Sequence, residues 1–151
     1  MSRARKNFKA GDIFPLSDVV LGEETLFLHQ KHRLGKVIFM SKITKRMIGI
    51  VLSQKTFEKI PEDVSDIAFS DTIFYTGNHL LREGVWAVIG NQPVTKEEQE
   101  LTLRLVGSSL YLLDENLGLV EQKDRKKYQK QLASGLGALY WKINQLYPDE
   151  Q

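Results

Sequence analysis

The sequence predicts an α+β fold: a strongly bent, mainly antiparallel sheet, barrel-like in its most closed form, with an amphipathic C-terminal helix packed on it. Three observations predict this. From Asp12 to Gln122 the apolar residues fall in short runs punctuated by Gly, Pro, Asn and Asp, the pattern of strands and turns. Two of those runs, Val37 to Met40 and Val85 to Ile89, are apolar on both parities, as in strands covered on both faces. Beyond Asp124 the period changes, and Tyr128, Leu132, Leu136, Leu139, Tyr140, Ile143, Leu146 and Tyr147 form one helical stripe. At 151 residues the chain is long enough for one domain with a sizeable core. The expected division is a basic tail at 1–7, a β-rich body at 8–123 and the helix of the same domain at 124–147.

The elements follow in order. Gly11-Asp12 signals a turn, and Ile13 to Leu16 a short strand that Pro15 confines to an edge or an end. Thr25 to Leu28 resumes the apolar pattern after Gly22. Leu34 to Met40 and Met47 to Leu52 are strands rich in β-branched residues, with Gly49 marking a bulge or a close backbone approach. Lys55 to Asp66 is a surface connection, because Ile60-Pro61 does not suit a helix. Ile67 and Phe69 share parity with Ile73 and Tyr75, as in two short strands or one bulged strand. Thr76-Gly77-Asn78 and Glu83-Gly84 are turns, and Val85 to Ile89 a strand stopped by Gly90-Asn91 and Pro93. Thr95 with Glu98 fits a capping box opening one or two helical turns. Leu101 to Leu105 alternates as a strand, and Asp114-Glu115-Asn116 joins a hairpin. Pro148 stops the last helix. Gly135 and Gly137 inside it would each cost about 1 kcal/mol relative to Ala. Close packing on the sheet offsets that cost, with a kink as the alternative; a helix–helix homodimer is a further use for the two glycines.

Charge is unevenly spread. Residues 1–55 hold 11 Lys and Arg against 4 Asp and Glu, and the remainder 10 against 15. The basic start lacks a following apolar region and no run reaches the length of a membrane span, so a cytoplasmic location is expected, with no membrane partner. With no cysteine, a disulfide framework and a thiol nucleophile are excluded.

Catalytic signals are weak. The serines lack a nucleophile elbow, and there is no phosphate-binding glycine loop. His29 and His32 lie three apart without further ligands, so no metal, no cofactor and no catalytic residue is expected. Trp86 and Trp141 have apolar neighbours and are assigned to the core. Two charged regions remain as binding candidates. Lys31, Arg33, Lys36, Lys42, Lys45 and Arg46 could form a basic face for nucleic acid. Glu62, Asp63, Asp66 and Asp71 could meet a basic protein surface, with Asn78, His79, Arg82 and Glu83 in the adjoining turn.

Two segments resemble a known bacterial family. Lys9-Ala-Gly-Asp-Ile-Phe14, Pro15-Leu16 and later Gly35-Lys-Val-Ile38 resemble its Gly-Asp-x-Phe strand followed by Gly-Arg/Lys-Val/Ile. Gly84-Val-Trp86-Ala-Val-Ile-Gly90-Asn91 with Pro93 resembles its Gly-x-Trp-x-x-Ile-Gly-x-x-Pro segment. The family is immunity protein 26 of polymorphic toxin systems. The resemblance spans roughly residues 8–122 and implies a small cytoplasmic protein that binds and neutralises a cognate toxin without catalysis. A nuclease toxin with a basic cleft would suit the acidic segment. The shared glycines, Trp86 and Pro93 are expected to be scaffold, with Gly84, Gly90 and Pro93 shaping turns. The long Asp18 to His32 segment and the C-terminal helix depart from the family pattern.

Overall fold

The computed structural model describes residues 7–16, 18–21, 23–28 and 32–147. Its chain order is β1 (Asp12–Leu16), β2 (Val19–Leu21), β3 (Glu24–Leu26), β4 (His32–Met40), β5 (Met47–Phe57), β6 (Phe74–Gly77), α1 (His79–Arg82), β7 (Gly90–Asn91), α2 (Lys96–Glu100), β8 (Arg104–Val106), β9 (Ser109–Leu112), β10 (Glu115–Leu119), β11 (Ala133–Ser134) and α3 (Leu136–Leu146). The fold is α+β, as the hydrophobic pattern predicts. Six strands form one strongly twisted sheet in the order β11-β6-β5-β4-β1-β7, with a separate meander β10-β9-β8 and the small hairpin β2-β3. Only β11 and β6 pair in parallel within that sheet. Its end strands, β7 and β11, do not pair with each other, so the sheet stays open rather than closing into a barrel.

Both faces of the sheet are covered, which is why β4 and β5 are apolar on both parities. One face carries Phe14, Leu16, Val37, Ile48, Ile50, Leu52 and Phe74, and buries Leu136, Leu139, Tyr140 and Ile143 of α3. Trp86 lies at the centre of this layer. It is fully buried, stacks on Phe14 with ring centroids 4.7 Å apart, and donates its indole N–H to the Tyr140 hydroxyl at 3.2 Å. The other face holds two smaller clusters. Ile13 and Leu34 pack with Val64, Ile67, Phe69 and Ile89. Phe39, Met47 and Tyr75 pack with Ile73 and Leu113. Ile73 and Tyr75 thus share a face, as their parity predicts. Gly49 is a close approach: an added Cβ would sit 2.8 Å from the Ile73 Cδ1.

A buried arginine ties the meander to the sheet. Arg104 is 1% exposed and donates from Nη1 to the carbonyls of Thr102 and Leu113 and from Nε to Gln131. Its guanidinium lies 4.9 Å from the Phe39 ring centre and 5.5 Å from that of Tyr75. Burial lowers the pKa of Arg104, with Tyr75, Asp114 and Tyr111 opposing that shift. Burial also pushes the Tyr75 phenol up to about 12, with the Arg104 charge pulling the other way. The Tyr75 hydroxyl is the buried side-chain polar atom that makes no hydrogen bond among the described residues.

Five expectations need correction. The helix expected over 124–147 is not continuous: a 3-10 helix spans Gln122–Lys127, and the α-helix is confined to Leu136–Leu146. Upstream, the backbone bonds sideways: Leu105 bonds Gln129 and Gln131, and β11 pairs with Tyr75 and Thr76. Leu132 is therefore 65% exposed, and Gly135 is the N-cap of α3 rather than a costly interior residue. Val85 to Ile89 is not a strand. The amides of Val85 and Trp86 both bond the Leu80 carbonyl, wrapping the end of α1, and the first bond to β1 is that of the Ile89 amide to the Ile13 carbonyl, just before β7. Ile67 to Phe69 contributes a single bridge, Phe69 to Ser53, and the expected strand from Leu101 begins only at Arg104. Trp141, assigned to the core, is 64% exposed. The capping box at Thr95 and Glu98 forms with both of its hydrogen bonds, and the hairpin around Asp114 forms as β9–β10.

Two stability predictions follow from these contacts. A Cβ at Gly35 would lie 2.6 Å from the Phe14 Cζ and push on the Phe14–Trp86 stack. Gly35→Ala is expected to cost about 1–3 kcal/mol in urea unfolding, the usual scale of an overpacked core. Tyr75→Phe removes a hydroxyl without a partner, so unfolding at neutral pH is expected to be unchanged or slightly harder. The raised Tyr75 pKa means that wild-type stability is complete below the ordinary tyrosine value and falls as pH climbs from about 10 through about 12. Tyr75→Phe should flatten that decline in thermal melts at alkaline pH.

Candidate functional site

The β5–β6 connection crosses the second face of the sheet and is clamped from below. Gln92, just after β7, donates its amide to the carbonyls of Val64 at 2.6 Å and Ile67 at 2.9 Å. Gly90 makes room for Val64, whose Cγ2 would collide with any Cβ there. Three residues past Gln92, the Thr95 capping box starts α2. The connection and α2 thereby become the two banks of an open cleft of about 310 Å³, lined by Phe69, Ser70, Asp71, Gln92, Thr95, Glu97, Glu98 and Leu101.

Lys36 closes the floor of this cleft. It sits on β4 opposite Val51, pointing away from the Trp86 layer, and its side chain is 1% exposed. Its ammonium donates to Glu98 Oε1 at 2.7 Å, the Pro93 carbonyl at 3.2 Å and Gln92 Oε1 at 3.3 Å. Glu98 Oε1 also accepts the Thr95 amide, so one carboxylate oxygen caps the helix and neutralises the lysine. A buried ammonium needs this full set of partners. The rim is different. Asp71 and Glu97 are exposed, and among the described residues neither side chain makes a hydrogen bond or ion pair.

The candidate acids are placed as follows. Glu62, Asp63 and Asp66 are exposed on the connection, and Asp71 lies on the cleft itself. Asp63 accepts hydrogen bonds from the Ser65 amide and hydroxyl, which hold its carboxyl below the usual range. Asn78, His79, Arg82 and Glu83 do not join them. Instead of an open turn they begin and end the short helix α1, at the opposite end of β6, where the Asn78 amide bonds the Arg46 carbonyl. Arg82 donates to Asn78 Oδ1 at 2.9 Å.

The proposed basic face does not form as a face. Lys36 is the buried floor just described, and Arg33 is 3% exposed, donating to the Ser53 carbonyl under the Tyr147 ring. They are buried on opposite faces of β4: Arg33, paired with Leu16, lies under Tyr147 on the α3 side, and Lys36, paired with Ile13, is covered on the second face. Lys42, Lys45 and Arg46 remain exposed at the β4–β5 turn, and Lys31 lies outside the described residues. His29 also lies outside them. Among the described residues no three His, Asp or Glu are grouped to hold a metal, and no helix is long and apolar enough to cross a membrane.

The sequence reading missed Glu97, Glu98, Gln92 and the roles of Phe69 and Leu101. The capping box was the available signal, since it places Glu98 at a helix start, but nothing local says which lysine it meets. No protein-family model, curated protein or solved structure matches this chain.

The Lys36–Glu98 pair can be tested by a double-mutant cycle. Glu98→Gln alone leaves the buried ammonium without its counter-charge and is expected to cost roughly 3–5 kcal/mol in chemical unfolding. Lys36→Met combined with Glu98→Gln should recover much of that loss. A double-variant loss equal to the sum of the separate Lys36→Met and Glu98→Gln losses would show that the two side chains are not coupled.

Proposed function

We propose that this chain is a non-catalytic inhibitor: a toxin-binding immunity protein of the kind its Gly-Asp-x-Phe and Gly-x-Trp-x-x-Ile-Gly-x-x-Pro segments resemble, acting in the cytoplasm of the producing cell. One observation carries the reading. Exposed carboxylates from two distant segments, Asp71 on the connection and Glu97 on α2, line one open cleft, and the connection that forms one of its banks also exposes Glu62, Asp63 and Asp66. The shared motif residues are scaffold in support of that surface. Gly90 admits Val64, the Pro93 carbonyl holds Lys36, and Trp86 fills the opposite layer.

Such a surface suits a basic partner. Complementary charge speeds encounter and fixes orientation, while a rigid concave centre supplies the specific contact. A nuclease that uses a basic cleft for nucleic acid is the partner class this favours, and occlusion of that cleft would neutralise it.

The triple variant Glu62→Lys, Asp63→Lys, Asp66→Lys tests this reading. Co-expression of the wild-type chain with its cognate nuclease toxin domain should restore growth. The triple variant, folded by circular dichroism, should protect poorly and bind the toxin at least about ten-fold more weakly, mainly through a slower association rate. Undiminished affinity and protection would overturn this use of the acidic surface.

A further inference from the structure

The cleft has a more specific fit than a general acidic surface. Its two banks are alike, each pairing one apolar residue with one carboxylate: Phe69 with Asp71 on the connection, Leu101 with Glu97 at α2. Phe69 and Leu101 give it apolar walls, and Asp71 and Glu97 give it a charged mouth. Its floor is electrically closed, because the Lys36 ammonium is matched by Glu98 at 2.7 Å. Three carboxylates therefore face one ammonium, and the uncompensated charge is that of Asp71 and Glu97 at the rim. At about 310 Å³ the cavity is at the small end of ligand pockets, which run from about 300 to 1,000 Å³.

We propose that this cleft receives one arginine side chain projecting from the basic face of the protein partner. The inference rests on the toxin-binding reading and names the contact at its centre. An aliphatic stem would lie between Phe69 and Leu101, and a planar guanidinium would reach the carboxylates of Asp71 and Glu97. A guanidinium matches this arrangement better than an ammonium. It is the more weakly hydrated cation, it stacks on an aromatic ring, and its fork bonds two carboxylates at once. The floor adds selectivity. A carboxylate or phosphate entering the cleft would meet two unpaired negative charges, while the lysine that could attract it is already bound by Glu98, Pro93 and Gln92.

The cleft can be probed without the toxin. Nα-acetyl-arginine amide titrated into the isotope-labelled protein should shift the amide signals of Asp71, Gln92, Glu97 and Leu101 saturably, in the millimolar range. Nα-acetyl-citrulline amide, which keeps the shape and loses the charge, should not. The lysine analogue should bind more weakly than arginine. Asp71→Asn with Glu97→Gln should weaken the arginine probe roughly five-fold or more, as the loss of two rim charges implies. The melting temperature should stay unchanged, because neither side chain makes an internal bond. Equal shifts with citrulline, lysine binding as tight as arginine, or indifference to the double variant would each overturn the assignment. If the arginine probe binds and the toxin does not, the cleft assignment stands and the toxin-binding reading falls. If the toxin binds and the probe does not, the cleft assignment falls alone.

Discussion

The structure depends on a column of four residues that crosses the main layer. Gly35 on β4 has no side chain, so the Phe14 ring can lie against its backbone. Trp86 stacks on Phe14, and Tyr140 accepts the Trp86 indole proton. These four residues come from β1, β4, the segment after α1 and α3. Stacked aromatic rings bury large apolar areas, and the indole N–H must find an acceptor once buried. The column therefore sets where the irregular segment around Trp86 lies and which turn of α3 faces the sheet. Phe14 and Gly35 come from the N-terminal strands and Trp86 from the segment after α1, and their contact holds these distant parts of the chain together.

The parts of this fold that were legible in the sequence are those whose signals are local. β4 and β5 carry long two-sided apolar runs. The Thr95–Glu98 capping box is a four-residue pattern, and the β9–β10 turn is flagged by Asp114 to Asn116. The misread parts are those in which a distant partner decides. Val85 to Ile89 has strand composition, yet Trp86 is drawn into the core while Val85 and Val88 stay exposed, and the backbone folds back on α1 at Val85 and Trp86 before reaching β1 at Ile89. Tyr128 and Leu132 keep helical spacing with α3, but their stretch of backbone is taken up by β6 and β8, an outcome that depends on sheet edges encoded elsewhere.

Buried charge was the least legible feature. In Leu101 to Leu105, alternation places Arg104 on the polar face of a strand, which ordinarily means solvent. Here that face is roofed by Phe39, Tyr75 and Tyr111, and three carbonyl-type oxygens receive the guanidinium. Lys36 is a similar case. Its neighbours in sequence suggest a solvated basic strand, whereas its actual neighbours, Gln92, Pro93 and Glu98, are more than fifty residues away. A long cationic side chain can be buried wherever the fold supplies enough acceptors, and no period in the sequence reports that supply.

Gly35 and Lys36 are adjacent, and strand alternation sends them to opposite faces. Gly35 admits the aromatic column on one side, and Lys36 floors the acidic cleft on the other. A single dipeptide thus couples core and cleft. The floor cannot tilt without disturbing the strand that supports Phe14, and Gln92 binds that floor to the connection that carries Asp71. The consequence is a concave centre held fixed before any partner arrives, with the flexible carboxylates confined to its rim. A partner side chain entering such a cleft would order only Asp71 and Glu97, because Lys36, Glu98, Gln92 and Thr95 are already held by one another. Low ordering cost at the centre and adaptable charge at the edge are the conditions under which a small surface can bind with specificity.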